Sequence, residues 1–206
     1  MDRAACWLET IERLGLHVLL EEDAWYPPGA RELHDPPPIL FARGRLELLV
    51  RPAIAVVGAR RHTEYGARIA AMLAGELADA GFAVVSGMAR GIDAAAHLAA
   101  LEAAGEGGTI GVLGCGVDVV YPRSHGRLYE RIAREGFLIS EFLPGEPAQR
   151  HNFPRRNRII AALSEGVLVV EAGERSGALI TADHALDLGR EVFAVPGPID
   201  RATSVG

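Results

Sequence analysis

The sequence contains no lysine. A P-loop of the form G-x-x-x-x-G-K-[ST] needs that lysine to reach the outer phosphates of a nucleotide, and no such motif occurs, so a P-loop nucleotide hydrolase is excluded. Cysteine is scarce as well. Cys6 and Cys115 are too few and too unpatterned for a disulfide framework or a zinc site, so no metal is expected. No apolar run reaches the length of a bilayer span, which argues against a membrane partner. Met1-Asp2-Arg3 leads into a charged segment rather than a signal peptide, and the expected location is the cytoplasm. An excess of positive charge is also missing, since the net charge is −6. That disfavours indiscriminate binding to nucleic acid or membrane, but the field inside a cleft depends on which charges line it.

What is present is an α/β pattern. Apolar residues make up 49% of the 206, with 24 glycines between the runs, enough for one sizeable domain and a small appendage. Residues 1–50 read as an N-terminal extension or remnant subdomain. Its proline-dense stretches, Tyr26-Pro27-Pro28-Gly29 and Asp35-Pro36-Pro37-Pro38, predict turns and no helix. His17–Leu20 and Ile39–Ala42 are short strand candidates, and the whole is expected to cover a sheet edge. Residues 51–206 are regular: six apolar strands separated by five helices. Among the helices, Tyr65 to Ala80 shows Ile69, Met72, Leu73 and Leu77 on one face, Ser124 is expected to cap the next-but-one, and Pro154 to open the one after. Continuously apolar strands alternating with helices predict a mainly parallel, doubly wound, extended Rossmann-like sheet.

The central stretch runs from Val84 to His97. A β-branched run stops at Ser86-Gly87, a turn carries Arg90, and Asp93 opens an alanine-rich helix. Such a junction aims free N–H groups and a helix dipole at one spot, which suits an anion. Gly87 and Gly91 are expected to supply positive φ and close approach. In an open parallel sheet, ligands bind beyond the carboxyl ends of the strands. Arginine recurs there: Gly58-Ala59-Arg60-Arg61 after the first strand, Arg90 after the second, Arg123 after the third, Arg150 through Arg158 after the fourth and Glu174-Arg175-Ser176-Gly177 after the fifth. Any one of these arginines reads equally well as solvated surface, but five loops on one edge imply a positive groove. Arg155, Arg156 and Arg158 oppose the dipole of the helix they open, which makes sense around a phosphate. Phe153 beside them suits a stacked, unpaired base, or else packs beneath its own helix, and Asn157 is placed to tie the loop down.

Gly58-Ala59-Arg60 is not G-x-G-x-x-G, and no acid ends the second strand, so a dinucleotide cofactor is not expected. Asp93 and His97 share a helix face and are either a carboxylate-oriented base or, more simply, a cap and a polar pair. Cys115 reads as a small buried residue before a nucleophile. Glu171 ends a strand, faces the crevice and is placed to pair with an arginine. No convincing nucleophile–base pair is present, so the chain is not read as an enzyme and no catalytic residue is assigned.

These motifs together resemble the DNA-processing protein DprA (Smf) family. They are Gly58-Ala59-Arg60, Ser86 through Asp93 with His97, and Gly114-Cys115-Gly116-Val117-Asp118 leading to Tyr121-Pro122. They continue with Phe153 through Ile160, Glu171-Ala172, Ser176 through Ala182 and Val195-Pro196-Gly197. Tyr26-Pro27 and Asp35-Pro36-Pro37 followed by Gly44 also fit, so the resemblance covers about Tyr26 to Gly206. It implies a homodimeric Rossmann-like protein that binds single-stranded DNA, protects incoming strands in natural transformation and loads the recombinase RecA for homologous recombination. The expected phosphate contacts are Gly58, Ala59, Arg60, Ser86, Gly87, Arg90, Gly91, Arg123, Arg155, Arg156, Asn157, Arg158, Ser176 and Gly177, with Phe153 for bases and Asp93, His97 and Glu171 in support. The helical N-terminal domain that members often carry is matched at most by a remnant, and their winged-helix C-terminal domain is not matched, which leaves duplex binding without support. The alternative reading is a nucleotide-binding or nucleoside-monophosphate phosphoribohydrolase-like enzyme of similar fold. It ranks lower because Glu174-Arg175-Ser176-Gly177-Ala178-Leu179-Ile180-Thr181 lacks the catalytic glutamate of the P-G-G-x-G-T-x-x-E loop.

Overall fold

The computed structural model describes residues 3–197 and 201–206. Its frame is one sheet of eight strands, β1 (His17–Leu20), β2 (Ile39–Gly44), β3 (Ala53–Val57), β4 (Ala83–Ser86), β5 (Gly108–Val112), β6 (Phe137–Ser140), β7 (Gly166–Val169) and β8 (Glu191–Ala194). The spatial order is β1-β2-β6-β5-β4-β3-β7-β8. From β6 to β8 every pairing is parallel. β4 and β6 are buried at all four positions, as continuously apolar strands between two helical layers should be.

Seven helices surround the sheet among the described residues: α1 (Arg3–Leu14), α2 (Pro28–Arg31), α3 (Glu64–Asp79), α4 (Ile92–Glu102), α5 (Gly126–Glu135), α6 (Asn152–Ala162) and α7 (Gly177–Asp187). The α3–α4 contact is built from small residues, with Ala70, Ala74 and Ala78 facing Ala96 and Ala100 over Val56 and Val84. Ile159, Ile160 and Ala161 of α6, with Ala178, Ala182 and Ala185 of α7, close another cluster against β3, β5, β6 and β7.

The extension covers the β6 edge by adding strands to it. β2 pairs antiparallel with β6, and β1 antiparallel with β2. The proline-dense tract differs from expectation in one place, because Pro28 begins the single turn of α2. A proline in the first position costs nothing there, since that N–H has no helical partner. Two expected helix starts also shift. Arg123–His125 form a 3-10 turn, so His125 and not Ser124 precedes α5, and Ser124 makes no cap. α6 starts at Asn152, two residues before Pro154, which still lies in the first turn where a missing N–H is tolerated.

Candidate functional site

Chain order reverses between β3 and β7, and the strand ends open a crevice at that switch point. Two adjoining clefts of about 750 and 590 Å³ occupy it. The larger lies between the loop after β3 (Gly58, Ala59, Arg60, Arg61) and the starts of α6 and α7, where Arg150, Asn157, Arg175, Ser176 and Gly177 line it. The smaller lies over the ends of β4 and β5, lined by Gly87, Arg90, Gly114, Cys115 and Arg123. Arg60, Arg61, Tyr121, Phe153 and Arg156 belong to both. Asp93 is the one acidic residue lining either cleft among the described residues. The clefts are thus arginine-lined although the chain as a whole is acidic.

The floor is an internal scaffold. Arg156 is 4% exposed, and its Nη1 donates to the carbonyl of Gly87 at 2.8 Å and to that of Val112. Asp93 Oδ2 accepts from the N–H groups of Gly87 at 3.2 Å and Ala89 at 3.1 Å. Burial pulls the Arg156 guanidinium down to about 10, with Asp93 opposing, so it stays charged at neutral pH. Burial likewise raises Asp93, against the pull of Arg156 and the two N–H donors. A Cβ at Gly87 would lie 2.6 Å from Arg156 Nη2 and 2.9 Å from Asp93 Oδ2, so glycine is needed to admit both groups. The expected pair of positive-φ glycines is corrected in part: Gly91 is left-handed at φ 88°, but its companion is Met88 at φ 57°, not Gly87.

Other expected site residues divide by location. Arg60, Arg90 and Arg123 stand exposed at the rim. Ser86 is fully buried and donates to the carbonyl of Val56 at 2.6 Å, and neither it nor Gly91 lines a cleft. Asn157 Nδ2 donates to the carbonyl of Gly177 at 3.0 Å and ties α6 to the start of α7. Gly58 is small because a Cβ there would meet the Ile92 side chain at 2.7 Å. Arg155 and Arg158 lie outside both clefts. They converge on Glu141 Oε2 at 2.9 and 2.6 Å, and the Glu141 side chain is only 2% exposed. The negative charge sought for these helix-opening arginines is thus supplied by a side chain of the protein.

Two supporting residues take partners other than those expected. Glu171 pairs with no arginine among the described residues but accepts from the N–H of Thr63 at 2.9 Å and its hydroxyl at 2.5 Å. His97 does not meet Asp93. Its Nδ1 lies 2.6 Å from Thr109 Oγ1, whose own hydroxyl donates to the carbonyl of Val84, so Nδ1–H is the donor. Burial holds His97 down to about 3 and pushes the Cys115 thiol up to about 11. Phe153 walls both clefts. Its ring stacks on Tyr121 at 5.2 Å between centroids, lies 5.6 Å beneath the Arg60 guanidinium, and needs Gly114 beside it, where a Cβ would come within 2.8 Å. Tyr121 also walls both clefts, although in the sequence it stands out only within the Tyr121-Pro122 motif. Its place just before Pro122 and Arg123 at a strand-end loop was the available signal.

A doubly wound sheet with an arginine-lined crevice at its switch point defines a Rossmann-like α/β protein. More narrowly, residues 17–206 match the family described as DNA recombination-mediator protein A, and the chain belongs to that family. It is 45% identical over 207 residues to Protein Smf of Escherichia coli, covering 100% of this chain and 54% of that protein. To DNA processing protein DprA of Streptococcus pneumoniae it is 46% identical over 177 residues, covering 86% of this chain and 62% of the relative. The chain therefore spans between half and two thirds of the length of these relatives. The solved structure of the S. pneumoniae protein superposes with a TM-score of 0.89 at 42% identity, over 99% of this chain and 70% of that one. DNA processing protein A from Helicobacter pylori, whose structure is described for its single-stranded DNA binding mode, gives 0.84 at 31%, over 92% and 84%.

Proposed function

We propose that this chain is the strand-binding unit of a recombination mediator. Single-stranded DNA lies along the paired clefts, its phosphates among Arg60, Arg61, Arg90, Arg123, Arg150 and Arg175, its bases against the Phe153–Tyr121 rings. Bound strands are protected in the cytoplasm and presented to RecA during natural transformation, with the protein acting as a homodimer and not as an enzyme. The observation that carries this reading is the lining of the switch-point crevice: exposed arginines, one buried acid and an aromatic pair. Arginine beside aromatic rings is what an unpaired strand requires. A single-stranded DNA relative at 31% identity supports it.

Titration of a fluorescent oligo-dT across a salt series tests the reading. Each phosphate neutralised on a single strand contributes a slope of about −0.7 in log K against log salt, so Arg60→Ala should flatten the slope by about that amount and weaken binding. Absence of binding by the chain at low salt, or displacement of the oligomer by dTMP at equal concentration, would sink the proposal in favour of a small-nucleotide site. RecA presentation is measured separately, as faster RecA filament formation on the same oligomer when the chain is present. Sedimentation at the assay concentration reads the dimer.

A further inference from the structure

Three hydrogen-bond donors that line the larger cleft find no acceptor among the described residues. The first is on Arg156. Its Nε donates to the Asn157 side-chain oxygen at 3.3 Å and its Nη1 to the carbonyls of Gly87 and Val112, but its Nη2 donates to nothing. The second is the N–H of Gly177, the first residue of α7. The Ser176 side chain accepts from the N–H of Ala178 and the Ser176 carbonyl from that of Leu179, which leaves Gly177 out. The third is the hydroxyl of Thr181, one turn further along α7. Buried polar groups are normally satisfied, yet Arg156 and Thr181 are only 4% and 1% exposed. The Asn157 side chain joins the two ends of this set, because it accepts from Arg156 and donates to the carbonyl of Gly177 at 3.0 Å. Asp93, the acid that lines the cleft, is already engaged by the N–H groups of Gly87 and Ala89.

We propose that the α6–α7 side of the larger cleft is a phosphomonoester site, in which Arg156 Nη2, the Gly177 N–H and the Thr181 hydroxyl bind one terminal phosphate. A phosphomonoester offers three free oxygens and close to two negative charges, whereas a phosphodiester inside a strand offers two oxygens and one charge. Three open donors, one of them a buried cation and one at the positive end of a helix, match the former. The cleft is closed beneath by Val57 and Ile160, 4% and 2% exposed, so a phosphate reaches this depth end-on. The inference rests on the proposed function above and deepens it, since the exposed arginines meet phosphates along the strand while this site takes a phosphate that ends one. The same chemistry is carried by the terminus of a strand and by a free nucleotide.

The test uses the full chain and an internally labelled oligo-dT with a 5′-phosphate, with a 3′-phosphate, or with hydroxyls at both ends. The wild type should hold one of the phosphate-ended forms about tenfold tighter than the hydroxyl-ended form. Thr181→Val removes one donor at nearly constant volume and should cut that ratio about threefold or more. Gly177→Pro removes only the N–H: a Cβ there meets nothing within 4 Å, Ser176 is already extended at φ −72° and ψ 137°, and proline suits the first position of a helix. It should cut the ratio likewise, and it decides if Thr181→Val does not fold. Equal binding of all three forms by the wild type overturns the inference. So does a ratio that the variants leave intact, since that marks a general attraction for added charge. Competition separates the two sources. If dTMP, and not thymidine, erases the preference without displacing the hydroxyl-ended oligomer, the site takes free nucleotides as well; a preference that survives dTMP assigns it to strand ends. Failure of the wild type to bind the hydroxyl-ended oligomer removes the proposed function, whereas binding that ignores the end group removes only this inference.

Discussion

At the bottom of the crevice the two charges Asp93 and Arg156 are held out of water. Taking them from solvent costs free energy, and it is offset because each also bonds to backbone: Asp93 to two N–H groups, Arg156 to two carbonyls. Together they fix the loop that carries Met88 and Arg90. The sequence places Arg155, Arg156 and Arg158 in one cluster, but helical geometry separates them. Positions 155 and 158 share a face and reach Glu141, while 156 lies about 100° away and turns inward. Which arginine goes in depends on Asp93, distant in sequence, so that part of the site was not legible. His97 was legible only as a polar residue on a helix face. Its folded value of about 3 lies below the ordinary 6.5, and its charged neighbours His125 and Arg156 push the same way as burial. Between those pH values the unfolded chain binds a proton that the folded chain excludes. The stability conferred by burying neutral His97 is therefore complete above pH 6.5 and is lost as pH falls toward 3. At pH 5 the loss amounts to about 2 kcal/mol. Urea unfolding at pH 7 and pH 5 should show His97→Gln losing that much less than the wild type on acidification. Equal losses in the two proteins would refute it.

Helix α3 shows how an element can be found for the wrong reason. The spacing of Ile69, Met72, Leu73 and Leu77 locates it to within a residue at each end, yet Met72 is 48% exposed. The fully buried stripe is Gly66, Ala70, Ala74 and Ala78, because small residues let α3 approach α4 closely. Apolar bulk misleads wherever close approach decides the packing. The start of α3 also links helix to crevice. Thr63 caps it by accepting from the N–H of Gly66 at 3.0 Å, while its own hydroxyl and N–H donate to Glu171 at the end of β7. Gly66 has no room for a Cβ, which would meet the Glu171 carboxyl at 2.4 Å. Thr63→Ala removes the cap, worth about 1 kcal/mol, and leaves a buried carboxylate short of a donor, worth about 1–3 kcal/mol more. Chemical denaturation should show a loss of about 2–4 kcal/mol, with Thr63→Ser close to wild type. A loss below 0.5 kcal/mol would mean that the cap and Glu171 are independent of stability. Because Thr63 lies two residues after Arg61 in the same loop, the same variant should also bind oligo-dT more weakly.

Over the whole molecule, the parallel core was readable because each of its strands is a short apolar run followed by a helix. The order of the strands was not readable, and neither were the pairing partners of residues 17–44, since β1 and β2 are short strands of mixed burial and β2 pairs with β6, far along the chain. β2 seals the β6 edge, and Leu40 and Ala42 enter the same core cluster as Phe137 and Ile139. Polar clasps reinforce the join: Tyr26 donates to the carbonyl of Pro37 at 2.6 Å, Arg158 to that of Asp35 at 2.8 Å, and Arg190 pairs with Glu32 at 2.7 Å. One cation, Arg158, thus holds Glu141 and the extension at once, on the same helix that supplies the floor of the crevice. Removing residues 1–44 would bare the unpaired backbone of β6 and the apolar side chains that β2 covers, a template for strand addition by another chain. The shortened chain, 45–206, should therefore aggregate or form mixed oligomers at concentrations where the full chain has a single mass in sedimentation. Its urea midpoint should also fall, because burial of the β2 side chains is lost. If the shortened chain instead keeps the mass and midpoint of the full one, the β6 edge does not need its cover, and residues 1–44 are an appendage rather than part of the sheet's stability.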